Sequence, residues 1–135
     1  MKDILITGSS GYIGSHLLKK ISDCLLYNVS GMDKKKPDII CPDKFHYGDI
    51  RNDKYLKYKD SFECVIHLAA EMRVGESVKD PTLYYETNIL GTLNVLRNIK
   101  TKHFIFASTG AAEGLASPYG ISKKSGEEIV IQYCL

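Results

Sequence analysis

The fold of this chain is decided by the stretch Ile4-Leu5-Ile6-Thr7-Gly8-Ser9-Ser10-Gly11-Tyr12-Ile13-Gly14. Its apolar start predicts a strand, and the spaced glycines that follow predict a tight turn that opens a helix. In this pattern Gly8 allows the turn, Gly11 lets a diphosphate approach the backbone, and Gly14 lets the helix pack on the strand. Because a helix N-terminus offers free amides and a positive dipole end, the stretch predicts a dinucleotide-binding turn.

An acidic residue, Asp33, ends the second apolar run about 20 positions after Gly14. A carboxylate at that place accepts hydrogen bonds from the adenosine ribose and repels the 2′-phosphate of NADP, which favours NAD. Two alternatives to NAD binding by Asp33 stay open. In the first, Asp33 is a solvated turn residue without a ligand. In the second, the three lysines 34–36 pair with the 2′-phosphate, so that the cofactor is NADP.

The composition is that of an ordinary globular domain. The chain has 135 residues, 25% of them charged, and a formal net charge of +2, so we expect residues 1–135 to form one domain. The basic run is too short for a nucleic-acid patch, and no apolar run approaches the ~18 residues of a membrane span. We therefore expect no nucleic-acid or membrane partner and, with no secretory leader before the first strand, a cytoplasmic location. Four scattered cysteines predict reduced thiols and no metal site: Cys24, Cys41, Cys64 and Cys134.

Short apolar runs alternate with helical patterns, which predicts a parallel sheet with crossover helices. The expected strands are Ile4–Ile6, Tyr27–Met32, Phe45–Tyr47, Cys64–Leu68 and His103–Ala107. The expected helices are Tyr12–Ile21, a short one from Asn52 or Asp53 to Tyr58, Thr82–Ile99 after Asp80-Pro81, and one from Ser117-Pro118 to the end. Pro37 and Pro42 mark an irregular stretch, and a long loop is expected between Leu68 and Asp80. The fold class is α/β, a Rossmann-type sheet in the order 3-2-1-4-5 with helices on both faces.

Apolar spacing also predicts which helix faces are buried. In the first helix the core positions are Ile13, Leu17, Leu18 and Ile21. In the long helix one apolar face is formed by Tyr85, Ile89, Leu93, Leu96 and Ile99. Leu83, Leu90 and Arg97 lie elsewhere on the cylinder, so burial of a second face of this helix stays open.

A candidate reactive pair lies on the last helix, where Tyr119 and Lys123 share a face at i, i+4 spacing. A free phenol has a pKa of about 10 and is a poor base at neutral pH. A lysine cation beside it favours the phenolate. A hydroxyl at the end of the fifth strand, from Ser108 or Thr109, is placed to share a substrate proton, because ligands of open α/β sheets bind at the carboxyl ends of the strands.

These motifs together resemble the extended short-chain dehydrogenase/reductase family, in particular its NAD-dependent sugar-nucleotide epimerases and dehydratases. The glycine turn, Gly48-Asp49-Ile50 and His67-Leu68-Ala69-Ala70 are similar to the family's cofactor segments. Val74-Gly75-Glu76-Ser77 and Asn88-Ile89-Leu90-Gly91-Thr92 are closest to the UDP-glucose 4-epimerases.

The resemblance implies roles for individual residues. Thr109 takes the place of the catalytic Ser/Thr, Tyr119 that of the acid/base, and Lys123 that of the ribose-binding lysine. Implied cofactor contacts are Gly8, Ser10, Gly11, Tyr12, Ile13, Gly14, Asp33, Asp49, Ile50, Leu68, Ala69, Ala70, Ala107, Ser108, Tyr119 and Lys123. The implied reaction passes a hydride from a nucleotide-sugar carbon to NAD⁺ while Tyr119 removes the hydroxyl proton.

Three departures from the family pattern bear on activity. Only 110–118 separates Thr109 from Tyr119, Met72 stands where the epimerases often carry a lysine or other polar residue, and the chain ends at Leu135. We therefore expect no C-terminal substrate domain. The alternative to an enzyme is an NAD-binding module, or a fragment, that no longer turns over a sugar.

The resemblance also implies a homodimer, because this family commonly pairs its last two long helices. The candidate interface residues are Leu83, Leu90, Ile121, Ile129 and Ile131.

Overall fold

A computed structural model describes residues 1–38, 44–58, 61–114 and 116–135. Cys41 and Pro42 lie outside the described residues. Five parallel strands form one sheet in the order β3-β2-β1-β4-β5, which confirms the predicted topology. The strands are β1 (Lys2–Thr7), β2 (Tyr27–Asp33), β3 (Lys44–Tyr47), β4 (Phe62–His67) and β5 (Thr101–Phe106).

Helices cover both faces of this sheet, as predicted. They are α1 (Tyr12–Ser22), a 3₁₀ helix (Asp53–Leu56), α2 (Val74–Lys79), α3 (Pro81–Tyr85), a π-helical turn (Glu86–Gly91), α4 (Thr92–Asn98), α5 (Ala111–Gly114) and α6 (Pro118–Cys134). No helix of the described residues is long and apolar enough to cross a membrane.

Side-chain caps begin three of these helices where the sequence predicts them. Asn52 accepts a hydrogen bond from the Lys54 amide, and Asp80 accepts one from Leu83. Ser117 accepts one from Gly120. The predictions missed α2 and α5, which lie in expected loops; both are too short for apolar periodicity to reveal them.

The predicted core face of the long helix is wrong. Tyr85, Ile89, Leu93 and Leu96 are only half-buried, whereas the buried positions lie on another face of the helix. These positions are Tyr84, Thr87, Asn88, Gly91, Thr92, Asn94 and Val95, and of the predicted set only Ile99 joins them. The predicted single helix is also interrupted by the π-helical turn. Apolar spacing does not report the hydrogen bonds that turn Tyr84 toward the loop after β4, Asn88 toward that loop and α6, and Thr92 toward His67 in the sheet.

Two apolar layers sandwich the sheet. Under α1, Leu18 packs with Ile4, Ile6 and Val29, with Leu17 and Ile21 at the margin. On the other face lie Leu5, Met32, Ile50, Leu56, Phe62, Val65, Val95 and Ile99. The prediction that Ile13 belongs to the first layer is wrong: its side chain is 62% exposed, and only Leu17, Leu18 and Ile21 of the predicted positions pack there.

A substitution at Gly14 tests how closely α1 packs against the glycine turn. A Cβ on Gly14 would lie 2.2 Å from the Gly8 carbonyl oxygen and 2.8 Å from Ser9 Cα, both backbone atoms. We expect Gly14→Ala to lower the free energy of unfolding in urea by about 1–3 kcal/mol, as overpacking does. Gly75→Ala is the matched control: it lies inside α2 with nothing within 4 Å of its added Cβ. Equal stability of the two variants would contradict the prediction.

Candidate functional site

A cleft of about 360 Å³ opens at the carboxyl ends of β1, β2 and β4. Nine of the predicted cofactor residues line it: Gly8, Ser10, Gly11, Asp33, Asp49, Ile50, Leu68, Ala69 and Ala70. The other predicted site residues are not part of this lining: Tyr12, Ile13, Gly14, Ala107, Ser108, Thr109, Tyr119 and Lys123. Met32, Lys34, Lys35, Gly48, Glu71, Met72 and Thr87 complete the walls.

The glycine turn forms the floor of the cleft. Gly8 has a φ of +72°, and a Cβ there would lie 2.6 Å from the Ala69 nitrogen, so no other residue fits without strain. Gly11 caps α1 without a side-chain hydrogen bond, and no acidic residue lies in the first turn. The first turn of α1 thus carries no carboxylate of its own that would compete for its free amides, an arrangement that suits a diphosphate.

Asp33 is held in place by backbone amides. One carboxylate oxygen accepts a hydrogen bond from Ser10 N at 3.0 Å, and the other accepts one from Lys35 N at 2.9 Å. The Ser10 hydroxyl donates to the Lys35 carbonyl at 2.7 Å. The end of β2 is therefore tied to the glycine turn, with the carboxylate beside the cleft.

An ion pair crosses the cleft above β1. Lys34 follows β2 and Glu71 follows β4, the two strands that flank β1, and Lys34 Nζ lies 2.7 Å from Glu71 Oε1. This ion pair bears on the alternative that the basic run 34–36 pairs with the 2′-phosphate of NADP. One of its three lysines, Lys34, already has a carboxylate partner.

Asp49 lines the cleft just beyond the carboxyl end of β3. Arg51 donates to both of its carboxylate oxygens, to Oδ2 at 2.7 Å and to Oδ1 at 3.1 Å, and holds the pKa of Asp49 below its usual value. Arg51 also lies 3.8 Å from Glu86 on the π-helical turn. The Asp49 carboxylate is thus ionised and fixed at the edge of the cleft.

The predicted reactive pair lies on α6. The Tyr119 ring is half-buried and meets the Tyr84 ring edge-on, with centroids 6.3 Å apart. Lys123 is 4% exposed, and its Nζ lies 4.1 Å from the centroid of the Phe106 ring. Burial lowers the pKa of Lys123 to about 8, while the Glu127 carboxylate one turn later works in the opposite direction.

The hydroxyls after β5 have local partners. Ser108 donates to Glu127 on α6, and Thr109 accepts a hydrogen bond from the Ala111 amide at 3.3 Å, which starts α5. The Ala107 amide donates to the His67 carbonyl at 3.2 Å. The Ser108 hydroxyl therefore binds a side chain of α6, and the Thr109 hydroxyl binds the first residue of α5.

A buried histidine joins β1, β4 and α4. Thr92 donates its only hydroxyl proton to the Asn88 carbonyl at 2.7 Å, so at 3.0 Å from His67 it accepts the Nε2 proton. The Nδ1 atom, 2.7 Å from the Thr7 hydroxyl, is then the acceptor. Burial, with a smaller contribution from the Lys123 charge, lowers the pKa of His67 to about 3. His67 is therefore a neutral structural residue.

Asn88 hydrogen-bonds both to the loop after β4, which lines the cleft, and to α6. Its side chain exchanges two hydrogen bonds with the Glu71 backbone, each at 2.9 Å, and donates to the Ser122 hydroxyl at 2.9 Å. Tyr84, one turn earlier, accepts from the Arg73 amide and donates to its carbonyl. The sequence did not reveal the contacts of Asn88 with Ser122 or of Tyr84 with Arg73, since such pairings depend on segments distant in the chain.

No group of three or more potential metal-binding side chains occurs in the part of the chain that the structure describes.

Comparisons with known proteins agree with this geometry. The profile of the NAD dependent epimerase/dehydratase family matches residues 4–135. A UDP-glucose 4-epimerase of Halalkalibacterium halodurans is 38% identical over 82% of this chain and 36% of its own length. The UDP-Glc/GlcNAc 4-epimerase structure from Campylobacter jejuni superposes with a TM-score of 0.90 at 29% identity, over 98% of this chain and 49% of that one.

A UDP-glucose 4-epimerase from Brucella ovis in complex with NAD gives a TM-score of 0.89 at 30% identity, over 98% of this chain and 48% of that one. The chain thus spans half or less of the length of these relatives.

Proposed function

Because the chain belongs to the NAD dependent epimerase/dehydratase family, we propose that residues 1–135 form the NAD-binding domain of an enzyme that interconverts nucleotide sugars. The observation that carries the catalytic part is the pair on α6: a lysine only 4% exposed, one turn beyond Tyr119. Burying a lysine away from water is unfavourable, and such perturbed groups cluster at functional sites.

The residues of the cleft fit NAD. The amides of the glycine turn suit the diphosphate, and the carboxylate of Asp33 suits the adenosine ribose. The side chains of Asp49 and Ile50 bound the far end of the cleft, where the adenine would lie. Ala107, Ser108, Tyr119 and Lys123 are proposed for the nicotinamide half.

The proposed chemistry divides between the cofactor and the protein. NAD, when bound, supplies the acceptor for a hydride from the sugar carbon. Tyr119 takes the proton from the sugar hydroxyl at its phenolate oxygen, and Thr109 donates a hydrogen bond to the same oxygen of the sugar. Lys123 holds a positive charge below about pH 8, which favours the phenolate. For the epimer to form, the keto sugar would present the other face of the same carbon to the hydride, while Tyr119 gives the proton back to the sugar oxygen.

The second candidate is an NAD-binding module without turnover. It is favoured by the cleft itself, which collects the residues for the adenosine and diphosphate end but not the pair on α6.

One experiment separates the two candidates. The purified chain is titrated with NAD⁺ by calorimetry and then incubated with NAD⁺ and UDP-glucose or UDP-galactose, with the products resolved by chromatography. Interconversion of the sugars establishes the enzyme, and NAD⁺ binding without interconversion supports the module. Absence of NAD⁺ binding overturns both.

We also propose a homodimer through α3, the π-helical turn and α6. Leu90, Ile121 and Ile131 are 55%, 40% and 52% exposed, and Leu83 and Ile129 are half-buried beside them. Light scattering should give twice the 15.1 kDa mass of the chain. Ile121→Asp should halve it, whereas Leu25→Asp, at an 89% exposed position away from these helices, should not. A monomeric wild-type chain would remove the proposal.

The cytoplasmic location stays a prediction.

A further inference from the structure

We infer that Glu71 determines cofactor specificity, because it holds Lys34 in an ion pair and so disfavours NADP relative to NAD; the inference rests on the proposed NAD binding. Both residues line the cleft, Lys34 after β2 and Glu71 after β4. Lys34 Nζ lies 2.7 Å from Glu71 Oε1. The glycine pattern assigns the choice of cofactor to the carboxylate of Asp33 and gives Glu71 no part in it.

Lys34 lies where the additional phosphate of NADP would bind. The adenosine ribose of a dinucleotide belongs at Asp33, and NADP carries this phosphate on the 2′ oxygen of that ribose. Sites that accept NADP offer a basic side chain at this point, and Lys34 is the residue that follows Asp33. Its ammonium group is already paired with a carboxylate from the other side of β1. The phosphate would therefore have to displace Glu71.

The backbone on both sides of the ion pair is anchored. Asp33 accepts hydrogen bonds from the Ser10 and Lys35 amides, which holds the end of β2 against the glycine turn. The Glu71 amide donates to Asn88 Oδ1, and the Glu71 carbonyl accepts from Asn88 Nδ2, each at 2.9 Å. The ion pair therefore joins two segments that other hydrogen bonds already hold in place.

The charge balance of the cleft acts in the same direction. Three carboxylates line it, those of Asp33, Asp49 and Glu71, against the ammonium groups of Lys34 and Lys35. A phosphate monoester carries about −1.5 to −2 charges at pH 7, so it needs a free cation beside it. Lys35 contributes equally with and without the Glu71 charge, so a comparison of the two proteins isolates Lys34.

The test uses Glu71→Gln, which keeps the size of the side chain and removes its charge. The purified chain is titrated by calorimetry with NAD⁺ and NADP⁺, the weaker ligand being measured by displacement of the tighter one. Tighter NADP⁺ binding should lower the ratio of the NADP⁺ to the NAD⁺ dissociation constant about five- to tenfold, because Lys34 becomes free to pair with the phosphate. In a Lys34→Met background the same substitution should change the ratio less than about twofold.

Glu63→Gln is the matched control. The Glu63 carboxylate lies 2.8 Å from Lys102 Nζ, and its side chain is 20% exposed, close to the 26% of Glu71. Glu63 lies near the amino end of β4, opposite the cleft. Its substitution should leave the ratio at the wild-type value.

An unchanged ratio in Glu71→Gln overturns the inference, and so does a fall that comes from weaker NAD⁺ binding. A fall of the same size in the Lys34→Met background or in Glu63→Gln overturns the role of the ion pair, as does a wild-type chain that binds NADP⁺ as tightly as NAD⁺. A wild-type chain that binds neither dinucleotide instead overturns the proposed function, so the two failures are distinguishable.

Discussion

Replacing Tyr119 by phenylalanine is expected to lower the rate of sugar interconversion by about 10²–10⁴-fold, the usual contribution of a positioned general acid–base group. The phenyl ring keeps the edge-on contact with Tyr84, so α6 and Lys123 stay in place. Only the proton-accepting oxygen is lost. Initial rates of UDP-hexose interconversion and the dissociation constant of NAD⁺ are measured in parallel, and the second should change by less than about threefold.

The control for this prediction is Tyr133→Phe, the same substitution near the end of α6 at a ring 51% exposed. It should leave both measurements at wild-type values. A Tyr119→Phe protein that retains turnover would rule out the phenol as the acid/base group. If the loss were confined to NAD⁺ affinity, Tyr119 would be a binding residue.

His67 should make the chain sensitive to mild acid. Its pKa is about 3 in the folded protein and near 6.5 when unfolded. Between these values the unfolded state binds the extra proton, so the free energy of unfolding falls as the pH falls through 6.5 toward 3. The loss approaches about 1.4 kcal/mol per pH unit, or about 2 kcal/mol at pH 5. Above pH 6.5 the contribution is complete.

The variant His67→Gln isolates this effect, because glutamine hydrogen-bonds without titrating in that range. Urea unfolding from pH 5 to 7 should show a shallower pH dependence than wild type, together with a lower stability at pH 7. His46 also has a lowered pKa from burial and from the Lys44 charge, so it adds a smaller slope that both proteins share. His103→Gln, at an exposed position on β5, is the control. Parallel curves for wild type and His67→Gln would refute the role of His67.

Local patterns were sufficient for the architecture. Alternating apolar runs and helix caps at Asn52, Asp80 and Ser117 depend on residues within a few positions of one another. They predicted five strands in the right order and the starts of the main helices. The glycine turn likewise depends on local backbone conformation, most directly at Gly8, whose positive φ excludes side chains.

Contacts between distant segments decided the rest of the candidate site. Apolar spacing placed Tyr85 and Ile89 on the core face, yet Tyr84 and Asn88 turn inward because their polar groups bind the loop after β4 and the helix α6. The Lys34–Glu71 pair likewise joins residues 37 positions apart, which no pattern of neighbouring residues predicts.

The amino-acid sequence was sufficient for the α/β class, the glycine turn and Asp33 at the end of β2, since each follows from the conformational preferences of neighbouring residues. The strand order followed from the dinucleotide-binding pattern that the glycine turn marks. The inward face of α3 and α4, the protonated nitrogen of His67 and the partners of Asn88 were set by packing between distant segments. The physical reason is that a buried hydrogen-bonding group is assigned its partner by whatever the folded chain brings within about 3 Å, and no local pattern encodes that distance.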